Sequence, residues 1–86
     1  MSEQRREICV VRVKDGDGWR AVFVIDGRRY ADPGAVRSLK IEAFDELQRN
    51  RVPAEFETRE VSQTEPPMRL PSWEEYRRRF DQGPDS

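Results

Sequence analysis

EICVVRVKDGDGWRAVFVIDGRRY, Glu7 to Tyr30, is the stretch that decides the fold. Glu7–Lys14 is rich in β-branched residues and reads as a strand. Asp15–Gly18 (DGDG) is turn chemistry, and Trp19–Ile25 (WRAVFVI) reads as a second strand. Asp26–Gly27 is a two-residue hairpin signal, because both positions favour positive φ. It predicts a short third strand from Arg28 to Tyr30, completing a three-stranded antiparallel meander. A loop at Asp15–Asp17 would pair Val13 with Trp19, Val11 with Ala21 and Cys9 with Phe23.

That register places apolar side chains on both faces. One face carries Cys9, Val11, Val13, Trp19, Ala21, Phe23, Ile25 and Tyr30. The other carries Ile8, Val10, Val22 and Val24, rimmed by Arg12, Arg20 and Arg29. A one-residue slip would swap the sides of the first strand and still leave two apolar faces. Leaving four aliphatic residues in water would forgo about 4–8 kcal/mol as an upper estimate. The sheet therefore needs two covers.

Downstream, Ala31–Gly34 (ADPG) breaks the ladder, with Asp32 suited to cap a helix and Pro33 to its first position. From Ala35 to Asn50 the residues Val36, Leu39, Ala43 and Leu47 form one helical stripe, which Ile41 and Phe44 widen. Arg37, Lys40, Glu42, Asp45, Glu46 and Arg49 are left for water. Pro53 ends this helix by Val52. Ala54–Val61 alternates as an edge strand with a wet face. Ser62–Pro71 is a linker that Pro66, Pro67 and Pro71 bias toward extended geometry. Ser72 and Glu75 form a capping box that opens a helix from Trp73 to Asp81, which Gly83–Pro84 stops.

The expectation is an α+β chain of order β-β-β-α-β-α, with one main helix on one face and a fourth, edge strand. Residues 1–61 form the domain, 62–71 the Pro-rich linker and 72–81 a short amphipathic helix. Residues 1–6 are expected to fray and 82–86 to be a disordered end.

Trp73, Tyr76 and Phe80 recur on one side of that last helix. They match the second sheet face, where Glu74 and Glu75 could meet the arginine rim. Three arrangements are open: the helix folds back on its own sheet, exchanges with a second copy in a homodimer, or docks on a foreign protein through aromatic anchors. The expected partner-binding residues are Val10, Val22, Val24, Arg12, Arg20, Arg29, Trp73, Tyr76 and Phe80.

Composition narrows the function classes. A chain of 86 residues holds one domain, with a core that is marginal without help from a tail or partner. Histidine is absent, and Cys9 is the single cysteine. That removes Cys/His zinc sites, Cys–His and Ser–His nucleophile pairs and an intrachain disulfide. Cys9 itself reads as a small buried hydrophobe. DGDG is similar to the start of a calcium loop, but WRAVFV follows where further acidic ligands belong. Glu42 and Glu46 stand one helical turn apart on the solvated side, with no pocket partner. No catalytic residue, metal or cofactor is expected, and the chain does not read as an enzyme.

Charged residues make up 38% of the chain, yet 16 basic side chains nearly cancel 17 acidic ones. Nucleic-acid binders carry a basic surplus, because phosphate neutralisation supplies most of their affinity. A nucleic-acid site would have to be a local patch of Arg12, Arg20, Arg28, Arg29, Arg37 and Lys40. Arg77–Arg79 suit the last turn of a helix, where cations favour the dipole. No apolar run of membrane-spanning length exists, and MSEQRRE lacks an apolar signal core, so a cytoplasmic protein is expected.

From Ile8 to Phe56, the DGDGW turn and the EAFDEL helix resemble the HicB-type antitoxin half-domain. That family has a partial RNase-H-like ββαβ module that dimerises and neutralises a small RNase toxin. The family's Leu-Pro-Gly-Cys turn and Thr-x-x-Glu-Ala helix start are missing, with IDGRRYADPGAV in their place, and the tail is unlike the family's DNA-binding extensions. The resemblance implies a non-catalytic protein that inhibits a partner. Small phage inhibitors of bacterial enzymes, anti-CRISPR proteins among them, share the style of one short, charge-rich α+β domain. The reading is an interaction protein of bacterial or phage type.

Overall fold

A computed structural model describes residues 5–82. It is an α+β fold: β1 (Arg5–Asp15), β2 (Gly18–Asp26), a 3-10 turn (Gly27–Arg29), α1 (Ala35–Arg49), β3 (Ala54–Ser62) and α2 (Trp73–Gln82). The sheet order is β2-β1-β3, all antiparallel, so the β-branched run of β1 is the central strand. The fraying expected at residues 1–6 is not seen at Arg5 and Arg6, which pair with Ser62 and Val61; residues 1–4 lie outside the described residues. The last helix runs to Gln82, the first residue of the end expected to be disordered, and the rest of that end, 83–86, also lies outside them.

The meander has two strands rather than three. Arg28–Tyr30 is not a strand, and a 3-10 turn occupies Gly27–Arg29. The Asp26 carboxylate accepts the Arg28 N–H at 2.9 Å and caps this turn. Gly27 lies so close to β1 that a Cβ there would stand 2.5 Å from the Glu7 carbonyl oxygen. The strand expected as the fourth is therefore the third, and it pairs directly with β1.

The hairpin register also differs from expectation. Asp15 pairs with Gly18, which leaves a two-residue loop, and Gly16 sits at φ 64°. A bulge follows: Arg12 pairs with Ala21 but Val11 with Phe23. An extra residue on one strand reverses the alternation beyond it. Ala21 and Trp19 therefore share the side of Arg12 and Lys14, whereas Val22 packs against the opposite cluster. Trp19 is 44% exposed rather than buried, with Lys14 over its ring.

Both helices cover the same face. Cys9, Val11, Phe23 and Ile25 pack with Val36, Ala43 and Leu47 of α1 and with Trp73 and Tyr76 of α2. The other face carries Ile8, Val10, Val24 and Val61, and Leu70 of the linker packs against it. The chain wraps the sheet to do this. After β3 the linker passes along the second face, the Pro71 carbonyl accepts the Val24 N–H at 3.0 Å, and Ser72 bridges Val24 in parallel at the outer edge of β2. Trp73 then enters the core on the first face, 1% exposed. The tail thus folds back in cis, but it gives the second face its linker and not its helix.

Local signals set the helix ends. Ser72 and Glu75 form the expected capping box, each backbone N–H bonding the other's side chain. Asp32 does not cap α1: its carboxylate accepts the Gly34 N–H in the preceding turn, and Gly34 is the N-cap. At the other end, Val52 N–H bonds the Leu47 carbonyl and Arg51 N–H the Gln48 carbonyl, a Schellman closure with Arg51 at φ 58°.

Candidate functional site

Four of the expected partner-binding residues lie in the chain's own core. Val10 and Val24 are buried on the linker-covered face, and Trp73 and Tyr76 on the helix-covered face. Val22 and Phe80 are partly buried against the helix-side cluster. Each has an internal partner instead. Phe23 meets Trp73 and Tyr76 at ring-centroid distances of 5.1 and 4.8 Å, and Phe80 stands edge-on to Tyr76 at 5.6 Å.

The arginines are not drawn together. Arg12 lies on the linker-side face, ion-paired to Glu57 at 2.7 Å. The bulge moves Arg20 to the opposite side, where it pairs with Val13 in the ladder and approaches Asp15 at 3.7 Å. Arg28 is a structural clamp with its side chain 10% exposed. Its Nε and Nη2 donate to Asp26, and its Nη1 donates to the carbonyls of Ser62 and Glu65, tying the linker to the turn. Burial pushes the Asp26 carboxyl up, but the Arg28 hydrogen bonds outweigh it and hold it below its ordinary value. Arg29 is exposed at the end of the turn, and Arg37 is exposed on α1. Lys40 donates to the Thr58 hydroxyl at 2.9 Å. The six basic residues expected to form a nucleic-acid patch are spread over both sides of the sheet, and four have partners within the chain.

Glu42, read as a solvated surface charge, holds α2 in place. Its Oε2 accepts the Trp73 indole N–H at 2.7 Å and an Arg77 N–H at 3.0 Å. The Tyr30 hydroxyl donates to Glu74 from the other side at 2.9 Å. Burial, aided by this acceptor, pushes the Tyr30 hydroxyl up to about 12. Burial likewise raises the Cys9 thiol, which is fully enclosed, so the one thiol is not presented as a nucleophile.

The unsatisfied surface lies between α1 and β3. The two helices stand over β1 and β2. The helix-side row of β3 is Ala54, Phe56 and Thr58. Ile41 and Phe44, expected to widen the buried stripe of α1, are instead 64% and 54% exposed. They line an apolar groove with Phe56 and the Lys40 stem, and Phe44 meets Phe56 edge-on at 6.1 Å. The groove adjoins the outer edge of β3, with which no strand among the described residues pairs. Sequence periodicity flagged Ile41 and Phe44 as apolar, and only the packing shows that they face outward.

Among the described residues no three His, Cys, Asp or Glu side chains could hold a metal ion, and no helix is long and apolar enough to cross a membrane.

No family model, curated protein or solved structure matches the chain.

Proposed function

We propose that the chain is a non-enzymatic interaction protein that binds and occludes a protein partner, with the α1–β3 groove as its contact surface. The carrying observation is the exposure of Ile41 and Phe44 beside an open strand edge. Scattered exposed hydrophobes are ordinary, but a contiguous apolar groove with an unpaired edge marks a docking surface. The edge offers backbone hydrogen bonds, and the groove offers apolar surface for aromatic or aliphatic anchors. Action by occlusion, in the manner of a HicB-like antitoxin or a phage anti-defence protein of the bacterial cytoplasm, fits a chain without a histidine or an accessible thiol. The nucleic-acid reading has less support, because the basic residues are dispersed and four of the six are paired within the chain.

The test is the double substitution Ile41→Glu with Phe44→Glu in the full chain. The variant should melt like the parent, since both side chains are exposed, and should lose every protein association that the parent makes in sedimentation. Association that survives the double substitution, or binding of generic DNA or RNA that weakens steeply with salt, would defeat this reading.

A further inference from the structure

We infer that the occupant of the α1–β3 groove is a second copy of this chain, joined antiparallel along β3 about a twofold axis at Thr58. The inference rests on the reading above that this groove is a protein-binding surface.

The free edge of β3 presents alternate backbone groups. Lys14 N–H bonds the Pro53 carbonyl, and Val13 stands opposite Ala54. Antiparallel pairs alternate between bonded and non-bonded. The backbones of Glu55, Glu57, Arg59 and Val61 therefore turn toward β1. Those of Ala54, Phe56, Thr58 and Glu60 turn outward. In a symmetric pair of β3 strands, only residues of like parity can stand opposite one another.

Charge then selects among the registers. A twofold at Phe56 sets Glu55 against Glu57 of the second copy. Axes at Glu57, Arg59 or Glu60 set that residue against its own like charge. An axis at Thr58 sets threonine on threonine, and Glu57 against Arg59 twice, each already ion-paired within its own chain, Glu57 to Arg12 at 2.7 Å and Arg59 to Glu65 at 3.1 Å. Like charges directly opposite are destabilising, whereas opposite charges and Thr–Thr pairs stabilise a ladder. Charged residues on an edge strand usually block pairing. Here they block every central register but one.

The Lys40 Nζ reaches Thr58 Oγ1 at 2.9 Å, so the turn of α1 that carries Ile41 and Phe44 faces the proposed axis across the β3 row. Pairing about Thr58 brings the two helices past each other at this point. Each copy then covers the apolar side chains that the other leaves in water. A patch and an edge that complement themselves under one rotation are what an isologous interface requires. The outer edge of β2 is interrupted, since Pro71 and Ser72 occupy it at Val24.

The experiment is the mass of the full chain in solution, by analytical ultracentrifugation across a concentration series, with melting curves to show that each variant folds. The parent should reach the mass of two chains. Glu57→Arg alone, or Arg59→Glu alone, alters two symmetric contacts and should weaken the dimer about tenfold or more. The double variant Glu57→Arg with Arg59→Glu reverses both charges and should restore it. A single-chain mass at every concentration overturns the inference and leaves a foreign strand as the occupant. A dimer lost on Ile41→Glu with Phe44→Glu but indifferent to the charge reversals overturns the Thr58 register while sparing the groove. A dimer indifferent to the groove substitutions defeats the underlying reading as well.

Discussion

The indole N–H of Trp73 donates to Glu42 Oε2 at 2.7 Å, and this bond joins the tail helix to the central helix at a buried tryptophan. Charge-assisted hydrogen bonds of this length are among the stronger ones. Glu42→Ala should destabilise the fold by about 1–2 kcal/mol, because it strips a partly buried donor of its acceptor. Trp73→Ala should cost about 3–5 kcal/mol through cavity formation. Urea midpoints check both. A double-mutant cycle of Glu42→Ala with Trp73→Phe should give a non-zero coupling, since each removes one end of the same bond.

Acid should loosen the linker clamp. The Asp26 carboxyl is held below its ordinary value in the fold, so its contribution is complete above the unfolded carboxylate range and is lost as pH falls through the lower, folded value. Asp26→Asn should be less stable than the parent at neutral pH, and the gap should narrow on acidification. Paired urea titrations from neutral pH downward test this; a gap that widens in acid would contradict the assignment.

Alkali should act at Tyr30. Its hydroxyl is pushed from 10.0 up to about 12, so the stabilisation is full below the unfolded value and fades as pH rises between the two. Tyr30→Phe should remove that alkaline slope. Ultraviolet titration of tyrosinate should show a late-titrating component in the parent that is missing in the variant.

Gly27 is a steric requirement. A methyl group there would meet the Glu7 carbonyl oxygen at 2.5 Å and a Val36 methyl at 2.9 Å. Gly27→Ala should therefore cost on the order of 1–3 kcal/mol, by the logic of overpacking. A melting temperature equal to that of the parent would show that β1 and the turn can part without penalty.

Arg51 is the converse case. Its φ of 58° lies in the left-handed region, where a side chain costs about 1–2 kcal/mol and glycine pays no such penalty. Arg51→Gly should raise stability by about 0.5–1 kcal/mol after the larger backbone entropy of glycine is subtracted. Chemical denaturation of the two proteins measures the difference directly.

What the sequence made legible follows the range of the interaction that decides each feature. The Ser72–Glu75 cap, the Pro53 stop and the alternation of β3 are local, and the fold contains all three. The Asp26–Gly27 signal was local too, but Arg28 binding to linker carbonyls 34 and 37 residues away drew the chain out of the sheet. Nothing near Val22 announces a bulge, yet that one residue decides the sides of Trp19, Arg20 and Ala21. Periodicity identified the apolar sides of both helices. It could not say that Trp73 would choose the face already held by α1, or that Ile41 and Phe44 would overhang β3. Those outcomes depend on which segment reaches a surface first, and the linker crosses the second face before the helix begins.

The passage of the linker around β2 has a consequence for assembly. A three-stranded sheet is normally two-ended: each margin can recruit a further strand, and growth need not terminate. Pro71 and Ser72 occupy one margin at Val24, so a strand adding along that margin is interrupted there, and a unit with a single open margin closes after one partner instead of propagating. The prolines of the strap add to this, since a proline contributes no N–H to an incoming strand. With β3 paired as inferred above, loosening the strap would free a second margin, and a terminating unit would become the repeat of a fibre.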